Sequence, residues 1–150
     1  MALDDVQDPG NLGTIIRTLD AAGIDSLILS KGCADVYNPK VVRSTMGAIF
    51  RVDTKYVDDL KSELLSLKEK GYNVITTSLK TNKYIYDIDF SKKTVIVIGN
   101  ESNGVSKEIF DISDEMVKIP MLGKTESLNA SVAAGVIIYE CVRQKRDNLF

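Results

Sequence analysis

Short apolar runs alternate with helical stretches from one end of the chain to the other. That alternation is the strongest constraint on what the chain can fold into. Strand-like runs fall at Ala2 to Val6, Ser26 to Ser30, Asn73 to Thr77, Thr94 to Ile98 and Met116 to Ile119. Weaker candidates lie at Ile49 to Val52 and Lys55 to Val57. The run TVIVI is the most strand-like, because β-branched side chains pack well on a pleated surface. Between these runs the apolar period changes to that of a helix. Leu12, Ile15, Ile16 and Leu19 share one helical face. The turn Gln7-Asp8-Pro9-Gly10 precedes them, Asn11 is the expected cap, and Gly23 ends the helix. Asn38-Pro39 reads as a cap and first-turn pair, opening a helix to about Gly47. Asp58 is expected to cap an amphipathic helix buried through Leu60, Leu64 and Leu67 and ended by Gly71. Ser78 to Asp89 reads as an irregular loop carrying Tyr84, Ile85 and Tyr86, and Ser106 as the cap of a short helix, Lys107 to Phe110. From Ala130 to Val142 the chain is apolar on most sides, the pattern of a buried helix. The whole predicts an α/β domain with a mostly parallel sheet and helices on both faces.

In such sheets ligands bind beyond the carboxyl ends of the strands. Three polar motifs should emerge there: DPGNLGTIIR after the first strand, GNESNG after Thr94 to Ile98, and PMLGKTESLN after Met116 to Ile119. In the third, Pro120 ends the strand, Met121 to Glu126 form a loop, and Ser127-Leu128-Asn129-Ala130-Ser131 runs into the last helix. Ser and Asn favour helix starts because their side chains accept from unpaired backbone N–H groups. If the strands are parallel, Arg17, Glu101, Ser127 and Asn129 reach one edge. Taken singly, each motif is an ordinary turn; the convergence is what points to a site.

Composition narrows the chemistry. The 150 residues suit a single domain with a real core. There is no histidine, which removes Ser-His-Asp and Cys-His catalysis and most zinc chemistry. Cys33 and Cys141 form no CxxC pair and are expected to be reduced thiols, with no metal site. The net charge of −2 carries no global signature of a nucleic-acid binder, so any RNA contact must use a local patch. Lys40, Arg43 and Arg51 are the candidates nearest the loops. Arg143, Lys145 and Arg146 read as a helix C-terminus rather than an RNA patch. No GxGxxG or GxxxxGK[ST] pattern is present, so dinucleotide and P-loop sites are poorly supported. No apolar run is long enough to span a bilayer, and no signal peptide is visible, so a cytoplasmic setting is expected.

Together the three motifs resemble the SpoU (TrmH) family of RNA 2′-O-ribose methyltransferases, within the SPOUT superfamily. The first family motif matches Asn11 to Arg17. The second matches Gly99-Asn100-Glu101, continuing to Gly104. The third matches Ile119-Pro120-Met121, Gly123, and Glu126 to Ser131. The resemblance covers essentially the whole chain. It implies S-adenosylmethionine as cofactor, a C-terminal trefoil knot that makes the cofactor pocket, a homodimer, and an RNA substrate, with ribosomal RNA favoured over transfer RNA. By position, Thr77, Ser78, Leu79, Gly99, Asn100, Ile119, Met121 and Leu128 should hold the cofactor. Asn11, Arg17, Glu101, Ser127 and Asn129 should form the reaction site. Ser102 stands where the family usually has a second glycine, so the loop there should be stiffer. The family's usual N-terminal RNA-binding domain does not precede the first strand, so the expectation is a catalytic domain alone.

The implied reaction is attack of a ribose 2′-oxygen on the methyl carbon of a sulfonium, which needs no metal. Arg17, Glu101 and Ser127 are the candidates for handling the proton. A guanidinium stays protonated, which suits Arg17 to holding a phosphate and steadying oxyanion charge. Two other readings compete. One is a dimeric module that binds cofactor or RNA without turnover. The other, an enzyme for a different nucleotide, is disfavoured by the absent phosphate loops.

Overall fold

The computed structural model describes residues 1–147, with side chains through Lys145. The side chain of Arg146, part of the expected basic tail, lies outside the described residues. Six parallel strands form one sheet: β1 (Ala2–Asp4), β2 (Ser26–Ser30), β3 (Asp53–Val57), β4 (Asn73–Thr77), β5 (Thr94–Gly99) and β6 (Glu115–Val117). Their order is β3-β2-β1-β5-β4-β6. Five helices accompany them: α1 (Pro9–Ala21), α2 (Pro39–Thr45), α3 (Leu60–Glu69), α4 (Lys107–Phe110) and α5 (Ala130–Asp147).

The layers follow from the period of two in the strands. In β5, Ile96 and Ile98 enter one core cluster with Leu12, Ile16, Ile137 and Ile138 of α1 and α5. Val95 and Val97 enter the opposite cluster, with Leu60, Leu64 and Ile109 of α3 and α4. Leu3 and Ala2 divide in the same way. A strand buried on both sides reads as a continuous apolar run, which is why TVIVI is so plain in the sequence. The expected α1 stripe is fully buried at Leu12, Ile15, Ile16 and Leu19. Truncating one of these to alanine should cost about 2–5 kcal/mol.

Several local expectations need correction. Asn11 does not cap α1. Asp8 does, accepting from Asn11 N at 2.8 Å, and Pro9 opens the helix. Asn11 therefore sits inside the first turn. Ile49 to Val52 is not a strand: Met46 and Gly47 both take left-handed backbone, and Ala48–Phe50 form a 3-10 turn. Asp59, not Asp58, caps α3. β6 ends at Val117, two residues before Ile119. Ser106 occupies the start of α4, but its hydroxyl is buried without a hydrogen bond.

The last helix is not buried all round. Ala134, Ile137, Ile138 and Cys141 face the core, while Val132 and Tyr139 are each 51% exposed. No helix among the described residues is long and apolar enough to cross a membrane.

Candidate active site

Because all the strands are parallel, the segments after β1, β5 and β6 leave from one edge of the sheet. The segment after β5 is a tight turn. Asn100 N donates to Gly104 O and Gly104 N to Asn100 O, at 3.0 and 2.9 Å. Asn100 Oδ1 accepts from Ser102 N and Asn103 N, and its Nδ2 donates to Asp5 O beyond β1. The Ser102 that departs from the family pattern is thus tied down through its backbone. Gly99 is required here: a Cβ on it would stand 2.1 Å from the Gly104 carbon and the Val105 nitrogen. The same turn also borders a second cavity, of about 370 Å³, with Asp4, Asp5, Gln7 and Ser106.

Side chains from all three motifs meet in one directed chain of hydrogen bonds. Asn129 caps α5: its Oδ1 accepts from Ser131 N at 2.9 Å, Ser131 Oγ at 2.7 Å and Val132 N at 3.3 Å. That leaves Asn129 Nδ2 free to donate to Asn11 Oδ1, at 2.9 Å. Asn11 Nδ2 then donates to Glu101 Oε1, at 3.1 Å. Glu101 also accepts from Asp8 N at 3.1 Å and Gln7 N at 3.2 Å. The helix cap dictates the orientation of both amides, since only one assignment satisfies every partner. Burial works against ionisation of Glu101. The hydrogen bonds from Asn11, from its own backbone and from Asp8 and Gln7 outweigh it, holding the carboxyl below its usual range. Glu101 is therefore a carboxylate at neutral pH whose lone pairs are already engaged.

Beside this chain lies a cavity of about 360 Å³. All eight residues expected around the cofactor line it: Thr77, Ser78, Leu79, Gly99, Asn100, Ile119, Met121 and Leu128. Glu101 and Ser127 line it as well, and Ser127 is exposed. Of the five residues that the family resemblance assigned to the reaction site, Asn11, Glu101 and Asn129 are joined directly. Arg17 stands apart. It lies on the exposed surface of α1, six residues or about 9 Å of helix beyond Asn11, and makes no ion pair or hydrogen bond among the described residues. Lining residues not anticipated include Phe110, Val117 and Lys118. Val117 and Lys118 had proximity to a strand end as a signal; Phe110, the last residue of α4, had none. Among the described residues no group of three or more acidic or sulfur side chains is arranged to hold a metal ion.

The SpoU rRNA Methylase family profile matches residues 1–139. The chain belongs to this family. One relative, the 23S rRNA (guanosine(2553)-2′-O)-methyltransferase RlmP of Bacillus subtilis, is 39% identical over 145 residues, covering 93% of this chain and 56% of that protein. The SpoU methyltransferase AviRb from Streptomyces viridochromogenes, solved with the cofactor AdoMet, superposes with a TM-score of 0.91 at 36% identity, over 97% of this chain and 60% of that one. The TrmH/SpoU tRNA modifying enzyme of A. aeolicus gives a TM-score of 0.88 at 35% identity, over 98% and 75%. The chain thus spans a little over half the length of the RlmP relative.

Proposed function

We propose that this SpoU-family chain is the methyl-transfer domain of an S-adenosylmethionine-dependent RNA 2′-O-ribose methyltransferase. The observation that carries the reading is the Asn129–Asn11–Glu101 chain at the edge of the cavity. The cavity fits the cofactor by its chemistry. Leu79, Ile98, Ile119 and Leu128 offer apolar wall for a purine ring, while hydroxyls, amides and the two lysines Lys80 and Lys118 offer polar contacts. Gly99 lets backbone approach where a side chain would intrude. Its volume lies within the range of small-molecule sites.

Bound S-adenosylmethionine would supply an electrophilic methyl group on a sulfonium. The chain's task is then to present a ribose hydroxyl and guide its proton away. Glu101 is a poor general base, because hydrogen bonding favours its ionised form. Its role is to fix Asn11, and through it the mouth of the cavity. Ser127, exposed at the cavity, is placed to pass a proton to solvent. Arg17 is free to hold the phosphate next to the target ribose and steady developing negative charge on oxygen.

Ribosomal RNA is favoured over transfer RNA, on the description of the family and the specificity named for the B. subtilis relative. A homodimer is part of the same reading, supported by the open apolar face of α5 at Val132 and Tyr139. The C-terminal knot is inferred too. Its support is the displacement of β6 beyond β4, the return of α5 to α1, and the grip of Gln144 on the backbone of Ile88 and Phe90. A cytoplasmic setting accords with two buried free cysteines. The test pairs calorimetric titration of S-adenosylmethionine with methyl transfer to ribosomal and transfer RNA, read as 2′-O-methyl nucleosides by mass spectrometry. Binding at about one per chain and a ribose-methylated product are expected. Methyl groups on bases would overturn the reaction assignment.

A further inference from the structure

A strip of surface beside the reaction site is not used by the chemistry above. It begins in the loop between β2 and α2. That loop is held rigid: Cys33 N donates to Ser30 O, Ala34 N to Val6 O and Asn38 N to Asp35 O, all within 3.1 Å. Tyr56 Oη accepts from Val36 N at 3.0 Å and donates to Ala34 O. Asp35 Oδ1 accepts from Tyr37 N at 2.9 Å. On this pinned loop Tyr37 is 77% exposed. An aromatic ring held out into water on ordered backbone has no packing role in the single chain.

Two cations follow Tyr37 on α2. Lys40 lies 4.0 Å from Asp8, whose N–H donates to Glu101. The side chain of Arg43 makes no ion pair or hydrogen bond among the described residues. The face of α1 against α2 is made close by Gly13, where a Cβ would meet Ser44 Cβ at 2.4 Å. Arg17 is one turn further along α1, so the strip lies against the helix that carries Asn11. Arg51, a candidate from the sequence, drops out because Asp20 takes it in two hydrogen bonds of 2.9 and 2.7 Å.

We propose that Tyr37, Lys40 and Arg43 form a binding strip for single-stranded RNA flanking the modified nucleotide, with a base stacked on Tyr37 and phosphates held by Lys40 and Arg43. The inference rests on the proposed function and adds where the RNA lies. Exposed aromatic rings interleaved with cations are the usual means of holding unpaired nucleotides. Backbone that is already pinned loses little freedom when the ring it carries stacks, which favours binding. The uncommitted guanidinium of Arg43 complements a phosphate, in a chain whose overall charge offers RNA no attraction.

The test uses fluorescence anisotropy with labelled oligouridylate of about 12 nucleotides, comparing wild type with Tyr37→Ala, Tyr37→Phe and the double variant Lys40→Ala/Arg43→Ala. S-adenosylmethionine affinity and solution mass are measured on the same preparations. Tyr37→Ala should weaken binding about tenfold, and Tyr37→Phe should restore it, because stacking needs only the ring. The double variant should lower the salt slope by about 1.4, two phosphates at about 0.7 each. Cofactor affinity should not move in any variant. Retained cofactor binding with no oligouridylate binding, or with variants that match wild type, overturns the strip alone. A change of mass in Tyr37→Ala also overturns it, by showing a second copy to be the occupant. Loss of cofactor binding in wild type overturns the proposed function and the strip with it.

Discussion

The site is built from two regions held in opposite ways. Asn11 belongs to the first turn of α1, is buried to 7% exposure, and is positioned by the Asp8 cap and the apolar stripe beneath it. Residues 122–129, which carry Ser127 and Asn129, are exposed throughout, with Leu122 at 98%. One region is scaffold and the other is loop, and Glu101 with Asn129 ties them together. An arrangement of this kind can keep its hydrogen-bonded side chains in register while the segment beside the cavity has few packing contacts to lose. Segments with little burial lie at the low end of local stability, which suits a wall that admits a ligand.

The contrast can be broken most severely from the scaffold side. Gly99→Val would drive a side chain into the Gly104–Val105 backbone. It should abolish cofactor binding and lower the melting temperature sharply, as calorimetry and thermal circular dichroism would show. Arg17→Ala comes next in effect on rate. Methyl transfer should fall about 10²–10³-fold with no change in melting temperature or cofactor affinity, because Arg17 supports nothing in the fold. Parallel loss of cofactor binding would show that it also shapes the cavity. Asn11→Ala should cut both ways. Losing the hydrogen bonds to Asn129 and Glu101, both exposed to water, should cost about 0.5–1.5 kcal/mol and slow transfer, separating it from Arg17→Ala in a denaturation curve.

A smaller effect should appear with pH. The folded state holds the Glu101 carboxyl below its usual range, so its ionised form stabilises the fold. That contribution is fully present above the ordinary glutamate value of about 4.3 and is lost as pH falls through the lower folded value. Glu101→Gln should therefore flatten the acid side of the stability profile relative to wild type. The smallest change belongs to the loop. Leu122→Ser should alter stability by no more than about 0.5 kcal/mol, and a larger loss by chemical denaturation would show that the loop is packed in solution.

Much of this arrangement was legible before any coordinates. The end-to-end alternation of strands and helices implied a parallel sheet, and a parallel sheet puts every strand's carboxyl end on one side. From that alone Arg17, Glu101, Ser127 and Asn129 could be expected at one edge; Asn11 joined them only through the family resemblance, and Arg17 stands apart from the hydrogen-bonded chain. The eight residues that the family resemblance named for the cofactor all line one cavity. What could not be read was how each partner choice would fall. Asp8 and Asn11 are equally good caps by residue type, and Asp8 took the role because Pro9 could then begin the helix. Asp58 and Asp59 posed the same choice at α3. Ile49 looked like strand, yet two successive left-handed residues at Met46 and Gly47 turned the chain first.

By itself, the sequence determined the layers, the shared edge and the chemical types gathered there, because burial periods and strand-end loops are local and repeat along the chain. Only the tertiary structure decided the strand order β5-β4-β6, the pairing that removed Arg51, the open face of α5 and the exposure of Tyr37. Those depend on residues far apart in sequence meeting in space, as Asp20 meets Arg51 and Asn129 meets Asn11, and no local pattern encodes which of several equivalent partners arrives.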